Sequence, residues 1–372
     1  MNAIIIPSFD NELIKLDMSI LFSLFYPFEL IGEDRPGQEG RIIKFKKRGL
    51  PDWDIITFTD GNIESNVANI CSDEKYDKIK LILPRLGLDT IGVPDKVDVH
   101  IYLNFGEIVN IDMLKSNFDL DRIKSIVLST KLKSLKAGKY KILQQPLLQF
   151  TRYFYYFGFY HNPSFTDFNI EYKGDKSFCF SYFKGFSGSD GDGNKRKWRE
   201  ELINKINKKF PNSKIQPKNK SKDFITCNRT MMDTVNMGWY WDFQTGHTVF
   251  VPETASLEDR ENVVFTEKTF RALISGVPII LATHPSKIKL LEKFGFWTLN
   301  SHFCDYSKDY GNRAEDHLID IFEQHEKNPK LFMDEINNNR HRLVKNQKIM
   351  EDLFYKDQDF KMEAINWILD KN

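Results

Sequence analysis

Apolar residues along this chain recur in two rhythms. Short β-branched and aromatic runs fall at Ala3–Ile6, Asp54–Asp60, Ile79–Leu83 and Val97–Leu103. Turn signals bound them: Asp60-Gly61-Asn62 after the second run and Pro84 after the third. Such runs predict strands. The helical signals between them are weak, and no internal repeat stands out. Further strands are expected at Phe178–Tyr182, Thr248–Val251 and Ile279–Leu281. The last has no polar face, as in a parallel sheet covered on both sides. Helical spacing of three and four appears in Leu202, Ile203 and Ile206, and again in Phe270, Leu273 and Ile274. Thr266 stands at the expected N-cap of the second helix, with Gly276 at its end and Pro278 beyond. Pro285–Phe294, His317–Lys327, Pro329–Asn337 and Asn339–Asn372 also read as helical, and Phe296–Leu299 as a strand. Strands alternating with helices predict an α/β chain.

A length of 372 residues suggests two domains. The aromatic stretch Gln149–Tyr160, read as core or interface packing, places the boundary near it. The expected division is 1–160, 161–345, and a C-terminal helical segment 346–372 returning to the first domain. A hydrophobic content of 41% supports buried cores and excludes a disordered chain. The formal charge of +1 gives no global attraction to nucleic acid or membrane. Four scattered cysteines without a C-x-x-C pair predict a reduced protein lacking a zinc framework. Ile20–Ile31 is too short to span a bilayer, and no leader pattern opens the chain, so a cytoplasmic protein without membrane attachment is expected.

Charge is segregated nonetheless. Lys195–Lys222 holds eleven basic residues against Glu200 and Glu201. This patch is either a solvated surface or a contact for a polyanion such as DNA. It follows the small-residue loop Ser187–Gly193, so a strand, a glycine-rich loop and a basic helix follow one another. That order suits a pyrophosphate at a helix N-terminus. Asp190-Gly191-Asp192 has the form of a metal–diphosphate motif, and Asp190, Asp192, Asn194 and Glu201 fall at EF-hand spacing. Lys195 stands where that loop needs glycine, so no metal site is expected.

Pro252-Glu253-Thr254, Thr266-Glu267-Lys268 and Gly276-Val277-Pro278 together resemble a signature of α1,3-fucosyltransferase-type glycosyltransferases. The ordered run, continued through Gly295-Phe296 and Thr298, is similar to that of glycosyltransferase-like proteins of large bacteriophages and cyanobacteria. The resemblance covers roughly residues 176–345. It implies a GT-B fold, two Rossmann-like domains facing across a cleft, and inverting, metal-independent transfer from a UDP- or GDP-sugar with no tightly bound cofactor. It also implies donor-binding roles for Arg199 (or Arg196, one turn earlier), Glu253, Thr254, Thr266, Glu267 and Lys268. Glu267 would accept from nucleotide hydroxyls, Lys268 would neutralise the diphosphate, and Glu253 would orient sugar or ribose. Inverting transfer also needs a carboxylate base. Asp60 and Glu107, both after predicted strands, are the candidates, with Glu64 third. The acceptor would be a modified base in DNA, reached through the 195–222 patch, or a glycan. A catalytically silent nucleic-acid- or glycan-binding module on the same fold is the alternative.

Overall fold

The computed structural model describes residues 1–7, 28–32, 42–47, 53–58, 63–88, 90–104, 111–130, 139–154, 178–180, 193–211, 215–216, 248–253, 263, 265–274, 276–305, 314–355 and 359–370. They form two compact units, one of Met1–Arg152 with Asp357–Asn372, the other of Tyr153–Lys356. The expected terminal segment 346–372 is divided between them.

The first unit is built on an eight-stranded sheet. Its strands are β1 (Asn2–Pro7), β2 (Phe28–Gly32), β3 (Ile42–Lys47), β4 (Trp53–Phe58), β5 (Lys78–Leu83), β6 (Val97–Leu103), β7 (Ile123–Leu128) and β8 (Lys141–Gln144), in the order β2-β3-β4-β1-β5-β6-β7-β8. The six from β4 to β8 are parallel; β2 and β3 extend the edge as an antiparallel hairpin. Ile4, Ile5, Leu81, Ile82, Val99 and Ile101 are fully buried, as expected of central strands covered on both faces. Helices α1 (Ile63–Cys71), α2 (Ile111–Asn117) and α3 (Leu147–Phe154) belong to this unit. Ile63, Val67 and Ile70 form the inward stripe of α1. The unit is α/β and compatible with a Rossmann-like arrangement.

A buried polar group lies within this sheet. Lys80, His100 and Ser125 are buried on adjacent β5, β6 and β7. His100 Nδ1 lies 2.7 Å from Ser125 Oγ, and Lys80 Nζ lies 3.3 Å from His100 Nε2. Asp370 follows the last helix, numbered α11 below (Asp359–Leu369), and accepts from Lys80 at 2.7 Å. Burial, then the Lys80 charge, lowers the His100 pKa to about 3, so the imidazole is neutral at ordinary pH.

The second unit has a four-stranded parallel sheet ordered β10-β9-β11-β12, with β9 (Phe178–Phe180), β10 (Ile215–Gln216), β11 (Val249–Pro252) and β12 (Ile279–Ala282). Among the described residues its helices are α4 (Gly193–Lys209), α5 (Glu267–Ile274), α6 (Pro285–Lys293), α7 (Leu299–Phe303), α8 (Ala314–Lys327), α9 (Pro329–Asn338) and α10 (Arg340–Tyr355). Leu202, Ile203 and Ile206 of α4 share one core with Phe250, Ile280, Leu318 and Phe322.

One sequence expectation changes here. Phe296–Leu299 is not a strand, because Thr298 caps α7 through a reciprocal capping box with Ser301. Helix α5 follows β11 along the chain, and Val263 between them forms an isolated bridge. The expected helix end is met, since Gly276 adopts φ +61° with Gly276 N donating to Leu273 O and Val277 N to Ala272 O. This pairing is a Schellman motif. Gln347 of α10 adds a bond to Ile274 O at 2.8 Å. A Cβ at Gly276 would lie 3.1 Å from the Gln347 side chain. Gly276→Ala should therefore cost about 1–2 kcal/mol of unfolding free energy in denaturant titrations, from left-handed strain and this crowding.

Candidate functional site

The order β10-β9-β11-β12 means that the chain leaves β9 toward β10 on one side and continues from β11 toward β12 on the other. Open parallel sheets bind ligands outside the carboxyl ends of the strands at such a reversal. Between the two directions lie β9 and β11. Each is followed along the chain by a helix, α4 after β9 and α5 after β11, and both helix N-termini belong to this edge.

Arg199 comes to the edge because α4 buries Leu202, Ile203 and Ile206 against the sheet. Arg199 stands three and four residues before Leu202 and Ile203, on the same face one turn closer to the N-terminus. Only 3% exposed, it donates from Nε to Glu253 O at 3.2 Å. Glu253 follows β11 directly and is fully buried. Its Oε1 accepts from Thr266 N at 3.1 Å, its Oε2 from Thr266 Oγ1 at 2.7 Å, and Thr269 Oγ1 also donates to Oε1. Thr266 Oγ1 lies 3.4 Å from Lys268 Nζ, on a lysine only 5% exposed. Arg199, Glu253, Thr266, Thr269 and Lys268 thus form one connected group, assembled from three distant stretches of sequence.

This geometry gives two residues a structural task at the start of α5. Glu253 is the acidic cap of α5, supplied from the preceding strand. Its oxygens accept from Thr266 and Thr269, so it positions the helix start. Thr266 occupies the N-cap position, where its hydroxyl donates to Glu253 and accepts from Lys268 Nζ. A carboxylate at a helix N-terminus is favoured by the helix dipole as well as by hydrogen bonds. Thr269 was missed by sequence reasoning. The signal for it was a second threonine three residues after the first, the spacing that returns a side chain to the start of a helix.

Arg196 lies on α4 one turn before Arg199, and Glu267 is the first residue of α5; their side chains lie outside the described residues, as does Thr254. Asp60, Glu107 and the Asp190-Gly191-Asp192 motif also lie outside them. Glu64 is exposed in the first turn of α1. His284 caps α6, accepting from Ser286 N. In the basic stretch, Lys205 pairs with Glu315 and Lys209 lies 4.0 Å from Glu323, so acidic residues of α8 meet part of the basic face of α4. Exposed pairs of this kind are worth about 0–1 kcal/mol each and do not prevent a polyanion from competing for the lysines.

Among the described residues, no helix is long and apolar enough to cross a membrane. Compared with protein-family models, with curated proteins and with solved structures, the chain finds no match.

Proposed function

We propose that this protein is a glycosyltransferase that moves a sugar from a nucleotide-sugar donor, a UDP- or GDP-sugar, to an acceptor hydroxyl. In this reading its two units are the two domains of a GT-B enzyme, and the second holds the donor. The observation that carries the reading is the grouping of Arg199 and Lys268 around the capped N-terminus of α5, at the strand-order reversal. The described side chains of that group hold two cations and one carboxylate, and the carboxylate is engaged by Thr266 and Thr269.

A departing nucleoside diphosphate gains negative charge as the glycosidic bond breaks. Fixed cations and helix N–H groups in surroundings poor in water stabilise that charge more strongly than solvent can. Lys268 and Arg199 supply the cations, Glu253 holds the start of α5 in place, and Glu267 meets the nucleotide hydroxyls. Asp60 or Glu107 takes the acceptor proton, and transfer inverts the anomeric centre without a metal. The acceptor is a modified base in DNA, held by the Lys195–Lys222 stretch, or a glycan.

Slow hydrolysis of the correct nucleotide sugar is expected without acceptor, and Lys268→Met and Glu267→Ala should each abolish it while circular dichroism stays native. Full hydrolysis by both variants ends the proposal. A thermal-shift comparison of UDP, GDP, ADP and CDP names the donor class, because a ligand that binds only the folded state raises the melting temperature by mass action. The burial of Arg199, Glu253, Thr266 and Lys268 favours a second reading, a silent binding module in which this group only staples α5 to β11. That module would bind polyanions in a salt-sensitive way and turn over no sugar nucleotide.

A further inference from the structure

Asp98, His100 and Asp370 present ligand-type atoms within 4.8 Å of one another. They come from the amino-terminal half of β6 and from the residue after α11, well apart in sequence. At their centre is Lys80. Its Nζ lies 2.7 Å from Asp370 Oδ2, 3.3 Å from His100 Nε2 and 3.7 Å from Asp98 Oδ2. We propose that Lys80 is a tethered cation seated in a three-ligand metal cradle, and that removing its charge turns the cradle into a site for a divalent transition metal.

The donor set argues for this chemistry. An imidazole with two carboxylates suits zinc, cobalt or manganese, and three protein ligands with one open position is the usual form of an accessible zinc site. Here the ammonium stands in the place of the ion itself, 2.7–3.7 Å from all three ligand residues. His100 is already oriented as a ligand. An ammonium has only protons to offer, so Nε2 turns its lone pair toward Lys80, and Nδ1 keeps its hydrogen for Ser125 Oγ at 2.7 Å. A partner on the far ring nitrogen is what fixes the imidazole at metal sites. His100 and Ser125 are fully buried, whereas Asp98 and Asp370 are 40% and 45% exposed. The rigid member is therefore the histidine, and the carboxylates have room to close on an ion at about 2.0–2.2 Å.

Two further cations border the cradle, Lys124 at 3.6 Å from Asp98 Oδ1 and Lys141 at 4.0 Å from Asp370 Oδ1. They leave both carboxylates charged and partnered when Lys80 is replaced. The Trp53 ring, 6.0 Å from Nζ, faces the ammonium from β4 and supplies no ligand.

The test is cobalt titration of the full chain at neutral pH, read by visible absorption and by melting temperature. Wild type should show no saturable d–d band. Lys80→Ser should show one and gain melting temperature with cobalt or zinc. The added substitution His100→Ala should remove both effects, and Ser125→Ala should weaken affinity by about 10–100-fold. Lys80→Gln, close to lysine in size and itself an oxygen donor, serves if the serine variant does not fold. The proposal is overturned if folded Lys80 variants bind no cobalt, if binding survives loss of His100, or if wild type binds equally tightly.

Discussion

Glu253→Ala is expected to lower the unfolding free energy of the second unit by about 3–5 kcal/mol, the usual cost of removing one member of a buried charged group. The substitution strands Thr266 N and the hydroxyls of Thr266 and Thr269, three buried donors that meet in one carboxylate. It also withdraws the negative charge that the start of α5 favours. Glu253→Gln keeps the volume and one good acceptor, so its cost should be about 1–3 kcal/mol, the range for one buried group left unsatisfied. Denaturant titration followed by far-UV circular dichroism reads both values, with a separate transition for each unit if they unfold independently. A loss below about 1 kcal/mol for the alanine variant would show that the carboxylate does not organise the helix start. The same series separates capping from ligand contact. On the proposed donor site, Glu253→Gln should keep a nucleotide-induced thermal shift, whereas Lys268→Met should lose it.

Acid should weaken the first unit through His100. Its folded pKa, about 3, lies below the ordinary value of 6.5 that the unfolded chain recovers. Between those values the unfolded state binds the additional proton, so stability rises with pH and is lost as pH falls from about 6.5 toward 3. The loss approaches about 1.4 kcal/mol per pH unit and totals about 4–5 kcal/mol across the window. Asp370 acts in the same direction at the acid end. Burial alone would raise its pKa, but the hydrogen bond and charge of Lys80 outweigh burial and lower it. Its stabilisation is present above the ordinary carboxylate pKa and disappears below it. The charged groups around the imidazole are Lys80, Asp98, Lys124 and Asp370. Unfolding free energies measured from pH 7 to 4 should fall steeply in wild type and more gently in His100→Gln. Equal slopes in the two proteins would rule out the imidazole as the source.

Strands β1 and β12 were readable as unbroken apolar runs ended by a turn or proline, and β5 and β6 as runs of β-branched and aromatic residues in which Lys80, Asp98 and His100 are the polar exceptions. Helices α5, α6 and α9 were readable from their punctuation: a capping residue or proline at the start, or glycine in the left-handed conformation at the end. Strands β2, β3, β7 and β8 were missed. In β3 lysines alternate with apolar residues, and β8 is four residues long, so their local signal is weak until a neighbouring strand pairs with them. The Phe296–Leu299 run misled because its residues suit a strand, whereas Thr298 and Ser301 together favour a cap.

The sequence alone determined the α/β character, the positions of Arg199, Thr266 and Lys268 on or beside helix starts, and the buried stripe of α4, since periodicity and capping are local properties. Tertiary structure decided what those residues touch. Glu253 becomes the cap of α5 because β11 ends where that helix begins, 13 residues later in the chain. Lys80, His100, Ser125 and Asp370 meet because three parallel strands and the chain's last helix converge, with as many as 290 residues between members. Hydrogen bonds and ion pairs act over a few ångströms, and only the fold sets which distant residues come that close.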